Sequence, residues 1–147
     1  MTRVLACVSL VFFACGLAGC ASLFRNDPRL FPLPATPPSQ GLVYGGLLFT
    51  TGFVPRDPVT GAVAPGGITA QTNMVLDNLE AALKRSGCSL KDVVELNVYL
   101  TDAADLAKMN AVMEERFGDH KPARTTVPIA RFPGPVLLEV DSIARIP

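Results

Sequence analysis

From about Gln40 onward the sequence predicts an α+β fold, β-β-α-β-α-β-β, with two helices on one face of a mixed sheet. Three observations predict it. Two segments repeat apolar residues at the helical period, and each is closed by a glycine. Short apolar runs rich in β-branched and aromatic residues stand before, between and after them. Turn chemistry separates the two kinds of segment. Two helices cover one face of such a sheet, and the other face is left for a partner, so self-association is expected.

The first 19 residues read as a targeting segment and not as part of that fold. Between Val4 and Phe24 the chain carries no charge for 21 residues, after a single basic residue, Arg3. A basic start, an apolar run and then small residues is the layout of a secretory signal peptide. Within it "LAGC", Leu17–Cys20, resembles a bacterial lipobox, which predicts cleavage before Cys20 and lipid attachment to its thiol. An uncleaved membrane anchor is the alternative, since 21 apolar or small residues are long enough to span a bilayer. Either way the rest of the chain is expected across a membrane from the cytoplasm. Ala21 is not the aspartate that retains lipoproteins at an inner membrane, which points to the outer one. Of four cysteines, Cys7 and Cys15 fall in the removed segment and Cys20 would be acylated, which leaves Cys88 without a disulfide partner.

Residues 20–39 hold five prolines, at 28, 32, 34, 37 and 38. Proline fixes φ and removes amide donors, so a semi-rigid, extended tether is expected, with an arm lying on the domain surface as the alternative. The globular domain is assigned to residues 40–147.

"GLVYGGLLFTTGFVP" reads as a β-hairpin turning at Gly45-Gly46. In "GITAQTNMVLDNLEAALKRS" Ile68, Val75, Leu79, Ala82 and Leu83 share a helical face that ends at Gly87. Ser89-x-x-Asp92 is a capping turn, and a strand follows through Leu100. Asp102 is a good N-cap for a second helix in which Leu106, Met109, Met113 and Phe117 share a face, closed by Gly118. Strands are expected over Ala123–Ala130 and Val136–Ile146.

Lys+Arg and Asp+Glu both number 13 and tryptophan is absent. With no basic stripe interleaved with aromatics, nucleic-acid binding is not expected. Nor is there a Cys–His pair, a metal-ligand cluster, a glycine-rich phosphate loop or a nucleophile elbow. His120, the only histidine, reads as a solvated linker residue, and Cys88 as a small buried one. Chemistry therefore falls to Arg124 and the acids of the last strand. Alternation sets Arg124 and Thr126 on the opposite face from Thr125, Val127 and Ile129, and sets Glu139 and Asp141 together. Charges in apolar strands need partners. Arg124 is thus either half of a cross-strand ion pair with Glu139 or an anion receptor aimed into a cleft.

Four stretches carry a resemblance: "LLFTTGFVPRDPVTG", "NLEAALKRSGCSLKDVVELNVYLTDAADLAKMNAVMEERFG", "KPARTTVPIARFP" and "LLEVDSIA". Together they resemble the RidA/YjgF family from about Pro38 to the C-terminus. The resemblance implies a chorismate-mutase-like α+β fold and a homotrimer with its sites in the clefts between subunits. It implies cofactor-free hydrolysis of small 2-imino or enamine acids to 2-oxo acids and ammonia. Carried over by position, Arg124 of the Pro-Ala-Arg motif would grip the substrate carboxylate, and Glu139 would activate water. Thr51, Gly52, Asn110 and Thr126 would line the substrate site, Thr126 where other members often have cysteine. Asp141 would raise the proton affinity of Glu139. One departure stands out: "TPPSQ" puts Pro38 where members commonly carry a tyrosine. A non-catalytic trimer that holds small carboxylates in the same cleft is the alternative function.

Overall fold

The computed structural model describes residues 29–31 and 40–147. The segment read as a signal peptide, Cys20 and most of the Pro-rich segment lie outside the described residues. Six strands, Arg29–Phe31 (β1), Gly41–Tyr44 (β2), Leu47–Thr50 (β3), Val93–Leu100 (β4), Ala123–Pro128 (β5) and Leu138–Arg145 (β6), form one sheet. Two helices, Gly67–Arg85 (α1) and Leu106–Phe117 (α2), complete the domain. From Gln40 the order is the expected one.

The sheet runs β1-β2-β3-β6-β4-β5. Only β4 and β5 are parallel, because the α2 crossover returns the chain in the same direction. The last strand, β6, inserts between the hairpin and β4 and pairs antiparallel with both β3 and β4.

Alternation then divides the sheet. Leu96, Val98 and Leu100 of β4 and Leu138, Val140 and Ala144 of β6 are buried on the helix side. They meet Val75, Leu76, Leu79 and Leu83 of α1 and Met109, Val112 and Met113 of α2. Each such leucine or valine contributes roughly 1.5–3 kcal/mol by leaving water. The residues between them in sequence, Glu95, Asn97 and Tyr99 on β4 and Glu139, Asp141 and Ile143 on β6, are only half-buried. They form the open face, where Phe49 is 38% exposed. One face is dry and the other is open, as expected.

Local chemistry explains the joints. Gly45 and Gly46 take positive φ values of 60° and 78°, the two left-handed positions a tight hairpin turn needs. Ser89 and Asp92 make the reciprocal capping box, with the Ser89 amide donating to Asp92 Oδ2 at 2.8 Å. Asp102 Oδ1 accepts from the Ala104 amide at 2.8 Å, but it caps a 3-10 turn, Ala103–Asp105, and α2 starts only at Leu106. Leu106 is accordingly 39% exposed, and Val112 joins the buried face instead. Strand β5 stops at Pro128, short of Ala130, and β6 begins at Leu138, two residues later than expected.

One part of the segment read as a tether belongs to the sheet. Residues Arg29–Phe31 pair antiparallel with β2. Pro28 and Pro32 flank this strand in sequence, and neither can donate to a ladder.

Candidate active site

The α2–β5 side comes first. Register pairs Arg124 with Leu96 and Thr126 with Val98, so both point to the helix side of the edge strand. Arg124 forms part of the wall of a cleft of about 340 Å³, over Leu96, Met113 and Phe117 and beside His120 and Lys121. Among the described residues no carboxylate pairs with it. Asn110 lies on α2 three and seven residues before Met113 and Phe117, on the helix face turned to that cleft. Its Oδ1 is buried without a hydrogen-bond partner, and so is Thr126 Oγ1. A buried polar atom left unpaired costs about 1–3 kcal/mol.

His120 is not the solvated residue the sequence suggests. Its Nε2 lies 2.6 Å from the Val93 carbonyl oxygen, and its ring stacks on Phe117 at 6.3 Å. A carbonyl only accepts, so Nε2 carries the hydrogen. Cys88 is buried, as expected.

A second cluster occupies the open face. Cross-strand register sets Tyr99 opposite Glu139 and Asn97 opposite Asp141. Asn97 Nδ2 donates to Asp141 Oδ1 at 3.0 Å. The Glu139 carboxyl is pushed above its usual range, first by burial and then by the charge of Asp141. The Tyr99 phenol is pushed up as well, by Asp141 first and then by burial and Glu139. Gly52 has a geometric reason to be glycine. A Cβ there would sit 2.6 Å from Glu139 Cδ and 3.0 Å from Cγ, so the bare Cα is the bed on which the Glu139 side chain lies. Thr51 precedes it, half-buried, with its amide on the Gln40 carbonyl at 3.0 Å.

The structure thus brings the expected residues together in two groups and not in one. Arg124, Thr126 and Asn110 share the helix side at the β5 edge, while Glu139, Gly52 and Thr51 gather around the open face. Strand β4 separates β5 from β6, and the two charges point to opposite faces. The Arg124–Glu139 ion pair left open by the sequence is therefore excluded within one chain. Tyr99 and Asn97 were not picked out from sequence; only the β4–β6 register shows that they flank Glu139 and Asp141. Among the described residues no group of three or more His, Cys, Asp or Glu is arranged to hold a metal ion.

Two groups of residues of this composition on a β-β-α-β-α-β-β fold agree with what comparison of the whole chain finds. Residues 30–146 match the family described as Endoribonuclease L-PSP. The chain belongs to that family, which is also the RidA family. A RutC family protein of Pyrococcus horikoshii is 47% identical over 113 residues, 77% of this chain and 90% of its own. The 2-iminobutanoate/2-iminopropanoate deaminase of Salmonella typhimurium is 37% identical over 116 residues, again 77% of this chain and 90% of its own. Among solved RidA-family structures, a putative endoribonuclease from Thermotoga maritima superposes with a TM-score of 0.72 at 41% identity, covering 78% of this chain and 90% of that one.

Proposed function

We propose that this RidA-family chain hydrolyses small 2-imino acids to 2-oxo acids and ammonia, in sites shared between copies of a homotrimer. The observation that carries this reading is Glu139: a half-buried carboxyl of raised proton affinity, seated on Gly52 beside Asp141. The unpaired guanidinium of Arg124 is its complement, and arginine's planar fork suits a carboxylate better than lysine's point charge. A relative carrying the deaminase name supports the substrate class.

The chemistry runs as follows. Arg124 holds the substrate carboxylate, and Asn110 and Thr126 offer polar atoms that lack partners inside the chain. Glu139, ionised, takes a proton from water as its oxygen bonds to the imine carbon, and the C=N pair moves onto nitrogen. The protonated Glu139 returns that proton to nitrogen, which gives a neutral carbinolamine. Glu139 then takes the carbinolamine hydroxyl proton and passes it to the amino nitrogen; the oxygen's electron pair closes C=O, the C–N bond breaks, and ammonia leaves a 2-oxo acid. No redox change occurs and no co-reactant beyond water enters. A positioned base of this kind contributes about 10²–10⁴-fold. Because Arg124 and Glu139 face opposite sides of one sheet, a site with both takes one from each of two copies, and the open face is the surface on which copies meet.

The test supplies an imino acid from an amino-acid oxidase to the purified protein, with semicarbazide as competing trap. Faster 2-oxo acid formation, reduced at least about 10²-fold in both Arg124→Ala and Glu139→Ala, is expected. Pro38, in place of the family's usual tyrosine, favours a second reading, a trimer that binds small carboxylates without turnover. Tight 2-oxo acid binding that Arg124→Ala abolishes, with no hydrolysis by the wild type, would select it. An RNA-cleaving role, which the family's description suggests, gains nothing from the equal counts of 13 basic and 13 acidic residues.

The stretch "LAGC" supports a lipid-anchored, extracytoplasmic location, where imines would come from an oxidase or dehydrogenase on the same side of the membrane. Incorporation of labelled fatty acid into the full chain, lost in Cys20→Ala, is the expected result; equal labelling of the variant would remove this part of the proposal.

A further inference from the structure

The cleft that Arg124 lines has a second fixed cation, which the mechanism above does not use. Lys121, three residues earlier in the chain, lines the same cleft. Among the described residues neither cation forms an ion pair. Glu114 on α2 is the one carboxylate in the lining, so the two fixed cations outnumber it.

The segment that carries Lys121 is held at both ends. Before it, the His120 amide donates to the Phe117 carbonyl at 3.1 Å, and His120 Nε2 donates to the Val93 carbonyl at 2.6 Å. After it, the β4–β5 ladder begins at Ala123, opposite Glu95. Pro122 fixes its own φ and disfavours helical backbone at Lys121. Three residues of extended chain span at most about 10 Å, so both long side chains start close to one ligand. They share a cleft of about 340 Å³ whose floor is Leu96, Met113 and Phe117.

A 2-imino acid with one carboxylate engages Arg124 and leaves Lys121 idle. We propose that the cleft selects 2-imino acids that carry a second carboxylate at the end of a short side chain. This deepens the hydrolase reading and rests on Arg124 as the carboxylate receptor. The carboxylate next to the imine carbon goes to Arg124, whose planar fork takes both oxygens. The side-chain carboxylate goes to Lys121, whose compact ammonium on a flexible stem tolerates a range of chain lengths. The carbons between them lie over the apolar floor. Glu114 opposes any anion in the cleft, so a dianion is held only because both cations face it. The bond-making steps at Glu139 are the same for either kind of substrate.

The experiment compares the purified full chain with Lys121→Gln, and it has two readouts. In the coupled assay, kcat/KM is measured for the imines of aspartate and of alanine, each made by its own oxidase. By calorimetry, Kd is measured for 2-oxoglutarate and for 2-oxobutanoate, which requires no turnover. Lys121 is exposed, so the melting temperature of the variant is expected to hold. The wild type is expected to prefer the dicarboxylic member of each pair. Lys121→Gln is expected to cut that preference about fivefold, the upper range for an ion pair open to solvent. A merely structural role would weaken both members alike and leave the ratio unmoved.

An active wild type whose hydrolysis needs Arg124 and Glu139, but whose ratio is the same in Lys121→Gln, overturns this assignment and leaves the hydrolase intact. A wild type that hydrolyses neither imine, yet binds 2-oxoglutarate more tightly in a Lys121-dependent way, overturns the hydrolase reading and keeps the second carboxylate site. Neither hydrolysis nor a Lys121-dependent preference in binding overturns both.

Discussion

At the residue scale, Glu139 carries most of the argument. Its carboxyl is raised first by burial and second by Asp141, and only its ionised form can take a proton from water. Activity is therefore expected to fall as pH drops through a value above the ordinary range of a glutamate. Removing the Asp141 charge lowers the Glu139 pKa, so the acid limb of the pH–kcat/KM profile in Asp141→Asn should move to lower pH. The check is a rate profile of both proteins from pH 4 to 8. A limb that moves up or stays fixed would contradict the electrostatic account. The sign on stability runs the other way from a usual carboxylate. A raised folded pKa means that the group's contribution is present at low pH and is lost as pH rises through that pKa. Glu139 thus costs the fold something at neutral pH, as a functional group often does. Arg124 was legible as a residue of interest from its place at the head of an apolar strand. Its lack of an internal carboxylate partner was not legible, because that depends on which strands are neighbours.

At the element scale, the strand order settles what alternation alone leaves open. Period-2 patterning separated Arg124 from Thr125 and joined Glu139 to Asp141, and the structure agrees with both. It says nothing about β4 lying between β5 and β6, and that insertion removes the Arg124–Glu139 pair. Tyr99 was missed for the same reason: tyrosine is a common strand former, and only the ladder register sets it against Glu139. His120 was misread because nothing in the sequence of a linker reveals that the Val93 carbonyl waits within 2.6 Å. Two expected outcomes belong to this scale. Gly52→Ala introduces a Cβ where the Glu139 side chain lies. A glutamate is free to swing aside, so folding is expected to survive while kcat falls about 10²-fold, the usual effect of a reacting group displaced by about 1 Å. Wild-type rates in Gly52→Ala would show that Glu139 need not rest there. Gln71 is a structural counterpart. Buried on α1, it donates to the Pro135 carbonyl at 2.8 Å and accepts from the Leu137 amide at 2.8 Å, which fixes the turn before β6. Gln71→Ala strands both backbone groups and should lower unfolding free energy by about 2 kcal/mol, read by urea denaturation.

At the scale of the whole molecule, two features call for more than one copy. The open face exposes Phe49 at 38% and Val127 at 41%, together with half-buried Ile143 and Tyr99. The two groups of site residues also lie on opposite sides of one sheet, so a single chain has Arg124 without Glu139 within reach. A head-to-tail ring answers both at once, since each copy can offer its α2–β5 edge to the open face of the next. The family resemblance implied such a trimer, and two helices on one sheet face gave an expectation of self-association from the sequence. The most direct measurement mixes two inactive variants. Arg124→Ala and Glu139→Ala are unfolded together in equal amounts, refolded so that subunits exchange, and assayed for imine hydrolysis. In a ring whose sites take Arg124 from one copy and Glu139 from its neighbour, a random mixture regains both groups in about a quarter of its sites. Recovery of roughly that share of wild-type activity is the result expected. A mixture as inactive as its components, with the wild type recovering fully under the same refolding, would contradict the shared site.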